Sequence, residues 1–256
     1  MIQVFTFVTD PDGYAEMRRS FAAAGFGADR AHFVELRGDG VADGPEPYSK
    51  ITELITAVSQ PFFILCHQDV RLDQGHGIDE LLGAIEALEG RDDRWAVAGN
   101  AGGTRSLRVI RNIRDPHGGG SDDDFPARVH SLDENFLVVR TGTGVGCSPG
   151  LSGFHLYATD LCLNALDHGL RSYVIDFRLR HLSPGTKDAA YDAARDRFVA
   201  HWNKRFFARY VRTTVELLFL SRWAPLRAAL GSTPVRSLVN HRGLRAAAGA
   251  VLAPRG

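Results

Sequence analysis

The sequence predicts an α/β fold, in which a mostly parallel sheet is flanked by helices and followed by a helical C-terminal extension. Short apolar runs alternate with amphipathic helical patterns over roughly the first hundred residues, as is typical of βαβ units. Two of these runs, Ile2–Thr9 and Pro61–Cys66, are almost continuously apolar, as in strands covered on both faces. With 256 residues and 44% hydrophobic content, the chain is long enough to bury a complete core.

The predicted elements follow in a regular order. The strands are Ile2–Thr9, Ala31–Leu36, Pro61–Cys66, Trp95–Ala98, Phe136–Arg140 and Ser172–Phe177. The helices are Asp12–Ala24, Tyr48–Ser59, a segment from Ile78 to Leu88, and Leu156–Gly169. A Pro and two Asp residues mark the start of the first helix and Gly25 marks its end. In the second helix, apolar residues recur at i, i+3, i+4 and i+7 from Ile51.

The remaining segments set the predicted domain limits. Glycines and an acidic run predict a long loop over Asn100–Arg128. Helical patterns predominate after Tyr191, so we expect an α/β domain over 1–202 and a basic helical extension over 203–256. The first half is Rossmann-like in outline, but no glycine-rich dinucleotide fingerprint follows the first strand, which argues against NAD and FAD.

Charge and cysteine content limit the function further. Residues 198–256 carry 10 lysines and arginines but one acid, whereas residues 1–197 carry 20 basic and 29 acidic residues. An acidic body argues against nucleic acid as a partner. The three cysteines, Cys66, Cys147 and Cys162, form no zinc pattern and suit a reducing compartment. Without a signal-peptide or membrane-spanning pattern, we expect a cytoplasmic protein.

The sharpest local signal is His67-Gln68-Asp69-Val70, directly after the apolar strand that ends at Cys66. The carboxyl ends of parallel strands form the ligand crevice of open α/β sheets. A carboxylate there suits a divalent cation that neutralises a diphosphate. The alternative is a solvated junction between strand and loop.

The HQDV tetrad, LDENFLVVR and FHLYATDLCLNALDHGL…VIDFRLRHLS together resemble family 2-type glycosyltransferases of the GT-A fold, in a branch whose metal motif reads HQDV. The resemblance covers about Ile2 to Trp202 and is strongest over Gly153–Ser183. It implies that the domain over 1–202 is a nucleotide-sugar-binding catalytic domain. It also implies a divalent cation, Mn²⁺ or Mg²⁺, held by Asp69 and His181, with His67 in place of the usual first aspartate. A structural histidine at a strand end is the alternative for His181.

The catalytic base is less well defined. Related enzymes place it on the helix after the glycine-rich segment, where this chain has Ala158 at the usual position and keeps only Asp160. A helix N-terminus favours an ionised carboxylate, which a general base requires, although the same position also suits an acid that merely complements the helix dipole. Asp160 is the first candidate, and Asp133 is its competitor.

Candidate donor-binding residues lie at strand ends and at one helix start. Phe7, Val8 and Thr9 would line a base pocket, Glu35 would accept a hydrogen bond from uracil or ribose, and Lys50 would approach phosphate. Gln68 would bind donor beside Asp69. Strand packing and solvated charges are the ordinary alternatives. Residues Gly146–Gly150 match the G-x-S-x-G motif of serine hydrolases. In those enzymes the backbone N–H after the serine stabilises the oxyanion, but here that residue is a proline, which has no N–H, so the motif does not indicate a hydrolase.

The resemblance implies a hexosyltransferase-like, inverting enzyme of surface polysaccharide biosynthesis that moves a sugar from a nucleotide-sugar to a glycan or lipid-linked acceptor. The alternative is a catalytically silent nucleotide- or glycan-binding domain; a nucleotidyltransferase would need an early basic phosphate loop, which is missing. Arginines interleaved with aromatic and aliphatic residues in 203–256 suit an interfacial helix at the inner face of the membrane. The other possibility is that this arm packs on the core.

Overall fold

The computed structural model describes residues 1–37, 46–114, 116, 123–183 and 188–240. Within these ranges the strands are β1 Ile2–Phe7, β2 Ala31–Leu36, β3 Phe62–Cys66, β4 Val70–Leu72, β5 Trp95–Gly99, β6 Ala101–Gly103, β7 Val109–Arg111, β8 Ile113–Arg114, β9 Ala127–Val129, β10 Ser131–Leu132, β11 Phe136–Arg140, β12 Arg171–Val174, β13 Leu179–His181, β14 Arg209–Arg212 and β15 Leu217–Leu220. The helices are α1 Pro11–Ala23, α2 Pro47–Ala57, α3 Ile78–Arg91, α4 Tyr157–Asp167, α5 Ala189–Trp202, α6 Ala224–Leu230 and α7 Thr233–Val239.

The α/β class is confirmed, but the central sheet is mixed and not mostly parallel. Its seven strands lie in the order β2-β1-β3-β11-β5-β12-β9. Strands β2, β1 and β3 pair in parallel, as do β5 and β12, whereas β11 runs antiparallel to both β3 and β5. The register places Leu137 of β11 between Leu65 and Gly99. Strand β9 closes the sheet antiparallel to β12.

Helices cover both faces of this sheet, which explains why its central strands β3, β5 and β11 are almost entirely apolar. In β3, Phe63 and Leu65 pack into one core cluster and Ile64 and Cys66 into the other. Buried residues of α1 and α3 complete the second cluster, and those of α2, α4 and α5 complete the first. Because successive strand residues face opposite layers, both sets must be apolar.

The segment predicted as a long loop contains short strands. Strands β10, β6 and β7 form one small sheet, and β4, β13 and β8 form another. Strand β6 contains Gly102 and Gly103 because the backbone carbonyls of Ser131 and Arg212 lie very close to these two positions. A side chain at Gly103 would overlap the carbonyl oxygen of Arg212. Residues 115 and 117–122 of the predicted loop lie outside the described ranges.

The C-terminal extension is not simply helical. Strands β14 and β15 form an antiparallel hairpin, which precedes the short helices α6 and α7. Val211, Leu218 and Leu220 of the hairpin belong to the main core cluster. The structure therefore packs this part of 203–256 against the domain expected to end at residue 202. Residues 241–256 lie outside the described ranges. Within the described chain, the structure contains no helix with the length and apolar character needed to cross a membrane.

Candidate functional site

Three side chains from two separate segments meet at the edge where β3 ends. His67 and Asp69 follow β3 directly, as the sequence predicts. His181 ends β13, which pairs antiparallel with β4 so that His181 lies opposite Val70. The backbone amide of Leu182 donates to the carbonyl of Asp69 at 3.1 Å. This pairing brings His181 beside Asp69.

The distances in this cluster suit a small cation. Nε2 of His181 lies 3.3 Å from Oδ2 of Asp69, and Nδ1 of His67 lies 3.9 Å from Oδ1. The potential ligand atoms all lie within 4.8 Å of one another. Metal–ligand bonds of about 2.1 Å in tetrahedral geometry place neighbouring ligand atoms about 3.4 Å apart. The three residues could therefore hold a metal after a small closure around it.

The hydroxyl of Tyr157 lies within hydrogen-bond distance of both His67 and the backbone carbonyl of Glu134. This hydroxyl lies 3.4 Å from the carbonyl oxygen of Glu134, to which it can only donate, and 3.3 Å from Nε2 of His67. When the hydroxyl donates to that carbonyl, its oxygen can accept a hydrogen bond from Nε2. In this neutral tautomer Nδ1 has a lone pair directed toward the Asp69 carboxylate. A cation between these two acceptors would bind both of them.

Burial and neighbouring charges together set the pKa of His67 and of Asp69. Burial, reinforced by the neighbouring His181, lowers the pKa of His67 and favours the neutral ring that a metal requires. Burial by itself would raise the pKa of Asp69, but the hydrogen bond from His181 and the charges of both histidines outweigh it and lower that pKa. Asp69 is therefore an anion over the ordinary pH range.

The predicted donor-binding residues divide into two groups. Gln68 accepts hydrogen bonds from the amides of Thr9 and Asp10 at 2.9 Å each and donates to the Thr9 hydroxyl at 2.8 Å. This clasp holds the end of β1, with Phe7, Val8 and Thr9, against the segment that contains Asp69. The side-chain amide of Gln68 is thereby occupied by the protein itself, so its role in the structure is to position the crevice wall.

Glu35 and Lys50 belong to the other group, because each is paired within its own segment. Glu35 accepts from Arg37 at 2.7 Å, and Lys50 donates to Glu53 at 2.6 Å. Neither has a described contact with the His67–Asp69–His181 cluster.

An aromatic residue near the end of β1 was not predicted from the sequence. The ring of Phe154 packs edge-on against Phe7, with centroids 5.7 Å apart, and remains 37% exposed. The loop that carries it is tied to α2, since Glu46 accepts from the amide of Gly153 and Tyr48 donates to the carbonyl of His155. An exposed ring held in this way offers a surface for an apolar or planar ligand.

The structure contradicts the assignment of Asp160 as the base. Asp160 is fully buried, and its carboxylate accepts from the Ser148 amide at 2.6 Å, from Asn164 at 3.2 Å and from the indole of Trp202 at 2.9 Å. Burial raises its pKa despite these bonds. With no exposed surface and with each oxygen engaged by donors, Asp160 links α4 to α5 in the core and does not face an acceptor.

Asp133 and Glu134 lie closer to the cluster. Asp133 is half-buried; it accepts from the Thr214 hydroxyl at 2.7 Å and from Asn135, and its charge acts on His67. Glu134 is half-buried and bonds to the backbone amides of Leu156 and Ala158 at the start of α4. Burial, reinforced by the charge of Asp133, raises the pKa of Glu134 to about 8 despite those bonds.

Glu134 therefore places a carboxyl group beside the backbone of Ala158, the position at which related enzymes have their base. The sequence contains the Asp-Glu pair, but it gives no sign that the glutamate turns toward α4. The turn between β14 and β15 lies next to Asp133, because the hydroxyl of Thr214 in this turn donates to Asp133. The same turn is held to α5, since Glu216 accepts from the hydroxyl of Tyr191 at 2.7 Å.

The fold and this edge define an α/β protein with a histidine–aspartate–histidine cluster. The chain is 35% identical over 222 residues to "ATP synthase subunits region ORF 6" of Fuscovulum blasticum, with 82% of this chain and 86% of that protein covered. The chain belongs to the same family as that protein. No protein-family profile matches it. The solved structure "Crystal Structure of A197 from STIV" is 14% identical and has a TM-score of 0.39 over 68% of this chain and 81% of that one.

Proposed function

We propose that this chain is a metal-dependent glycosyltransferase that uses a nucleotide-sugar donor and inverts the configuration at the transferred carbon. The observation that carries the proposal is the convergence of His67, Asp69 and His181 at the carboxyl end of β3. The resemblance in sequence supports the same reaction class. It predicts a cation at Asp69 and His181, and these two side chains are neighbours.

The donor set favours particular ions. Two imidazoles and one carboxylate suit Mn²⁺, Co²⁺ or Zn²⁺ better than Mg²⁺, which prefers oxygen ligands and retains bound water. His67, Asp69 and His181 would hold the ion. Such an ion supplies positive charge to a departing diphosphate. We therefore propose Mn²⁺ rather than Mg²⁺ as the physiological partner.

The donor would lie across the end of β1. The Gln68 clasp sets the position of Thr9, and Phe7 with the exposed Phe154 offers an apolar wall for a base. The diphosphate would then approach Asp69 from the side of His67. Glu35 and Lys50, which are paired on their own elements, would contribute only if donor binding breaks those pairs.

Glu134 is the proposed base. Its carboxyl lies at the start of α4, is half-buried, and has a pKa of about 8, close to the pH at which transfer would occur. In its ionised form it would remove the proton from an acceptor hydroxyl. Asp133, which is engaged by Thr214 and Asn135, would position the neighbouring backbone and keep the pKa of Glu134 high.

Metal-linked donor binding tests the first half of this proposal. Thermal stability would be measured with UDP, GDP and other nucleoside diphosphates in the presence of Mn²⁺, Co²⁺, Mg²⁺ or a chelator. A ligand at about a hundred times its dissociation constant adds ~2.7 kcal/mol. Asp69→Asn should abolish the metal-dependent gain, whereas Asp123→Asn, which breaks an ion pair with Arg108, should retain it. Unchanged metal-dependent affinity in Asp69→Asn would refute the site.

The pH dependence of transfer tests the base. With a pKa of about 8, Glu134 is increasingly protonated as the pH falls below that value, so the rate should decline toward acid. Glu134→Gln should bind nucleotide normally yet lose transfer at every pH. If Asp133→Asn loses transfer and Glu134→Gln does not, Asp133 is the base. Donor binding without transfer under all conditions would favour the silent binding domain.

A further inference from the structure

The last described part of the chain carries an exposed surface of unusual composition. Helices α6 and α7 contain no buried residue, and nothing on their outward side is acidic. Phe207 and Trp223 lie next to this side, since the Ser221 hydroxyl bonds to the carbonyl of Phe207 and accepts from the amide of Trp223. We name this surface the C-terminal face; its exposed residues are Phe207, Arg222, Trp223, Ala224, Pro225, Ala228, Ala229, Thr233, Pro234, Ser237 and Leu238.

Apolar residues lie on both the inward and the outward side of helices α6 and α7. On the inward side, Leu226, Leu230 and Val239 pack against the small cluster that contains Tyr210 and Phe219 of the hairpin. A surface helix ordinarily pairs such an inward stripe with charged residues outside. Here the outward side instead exposes alanines, prolines and large apolar side chains, with Trp223 52% and Leu238 56% exposed. Exposed large apolar residues concentrated in one segment often mark interaction surfaces.

Positive charge lies beside the aromatic part of the face. The exposed Arg222 guanidinium lies 6.0 Å from the Phe207 ring, and Arg227 on α6 is partly exposed. The single acid of residues 198–256, Glu216, is already engaged by Tyr191 and lies 3.6 Å from Arg236. A partner for this face would therefore offer an apolar layer to Phe207, Trp223 and Leu238 and negative charge to the arginines. An anionic lipid bilayer has both properties.

We propose that the C-terminal face binds an anionic bilayer, with Phe207, Trp223 and Leu238 at the boundary between headgroups and acyl chains. Arg222 and Arg227 contact lipid phosphates. This inference does not depend on the proposed transfer reaction.

The tryptophan content provides a direct assay. Trp95 and Trp202 are fully buried, so Trp223 is the one solvent-exposed tryptophan of the three. The full-length chain would be titrated with vesicles of phosphatidylcholine alone and with rising phosphatidylglycerol, while fluorescence and vesicle flotation are recorded. We expect a blue shift of the emission and co-flotation with anionic vesicles only, both weakened by salt. In Trp223→Phe the shift should disappear while flotation persists.

Two charge substitutions test the face itself. Trp223→Glu and Leu238→Glu replace exposed side chains and should each reduce partitioning about tenfold or more without loss of thermal stability. Leu82→Glu is the matched control, because Leu82 is an exposed leucine on α3. It should leave partitioning unchanged.

Three results would overturn the proposal. The first is the absence of flotation with every vesicle composition. The second is flotation that survives both glutamate variants and disappears on truncation after Asn240, which would assign binding to residues 241–256 alone. The third is a homodimer in light scattering that Trp223→Glu dissociates, without vesicle binding by the parent chain. That result would make the face an interface between copies of this chain.

Discussion

Replacing the buried carboxylate Asp160 by asparagine separates the structural role of this residue from a catalytic one. The two oxygens of Asp160 accept three hydrogen bonds, from the Ser148 amide, Asn164 and the Trp202 indole. Asparagine retains a single acceptor oxygen. Its amide group must therefore face either the Ser148 amide or the Trp202 indole, and both of these can only donate.

The expected cost follows from these contacts. At least one hydrogen bond to a charged acceptor is lost and one buried donor is left without a partner, which together cost about 3 kcal/mol. For a chain of this size, each kcal/mol corresponds to a Tm change of about 2–4 °C, so Asp160→Asn should melt roughly 6–12 °C lower. Donor binding at low temperature should be preserved, because the folded variant keeps the cluster at His67, Asp69 and His181.

Urea unfolding followed by circular dichroism provides the measurement. Asp167→Asn is the matched control, because Asp167 ends the same helix and makes a partly exposed ion pair with Arg205 at 3.1 Å. Such a pair contributes less than about 1 kcal/mol. A variant Asp160→Asn with wild-type stability and no transfer would refute this reasoning and restore Asp160 as the base.

Three further predictions concern stability and metal affinity. Gly103→Ala should lower the free energy of unfolding by about 1–3 kcal/mol in urea titrations, because the hairpin backbone at Arg212 occupies the space of the new methyl group. Gly83→Ala is the control and should not destabilise the protein, because no atom lies near its new methyl group. Hydrogen bonds overcome burial and lower the pKa of Asp92 to about 2; its stabilisation is therefore present above pH ~4 and is lost as the pH falls toward 2. Acid titrations should show a loss of roughly 2 kcal/mol that is missing in Asp92→Asn. Tyr157→Phe should weaken Mn²⁺ binding about tenfold in calorimetry, since His67 loses the partner that orients it; unchanged affinity would contradict the assigned tautomer.

Much of the fold follows from the sequence because hydrophobic periodicity is a local property. The strands Ala31–Leu36 and Phe136–Arg140 have the predicted bounds, and α1, α2 and α4 lie within two residues of theirs. The continuous apolar run of β3 predicts burial on both faces, and Asp69 follows it at the sheet edge. These features depend on residues that are adjacent in the chain.

The direction of β11 and the hairpin could not be predicted in this way. An apolar run such as Phe136–Arg140 has the same composition whichever way it enters the sheet, and the structure inserts it antiparallel between β3 and β5. The run Leu217–Leu220 is equally ambiguous between a buried helix segment and a strand. In the structure Leu217–Leu220 forms a strand because it pairs antiparallel with Arg209–Arg212.

In the candidate site, too, some features follow from the local sequence and others depend on contacts between distant segments. The sequence by itself determined the elements of an α/β fold and the position of Asp69 at a strand end. The family resemblance implied that His181 lies beside Asp69, and the pairing of β13 with β4 gives the distance between them. Only the tertiary structure enclosed Asp160 in the core and turned Glu134 toward the start of α4. Burial and contacts between distant segments determine whether a carboxylate is a structural acceptor, a ligand or a group that titrates near neutral pH. These quantities depend on the packing of the whole chain, and no local pattern contains them.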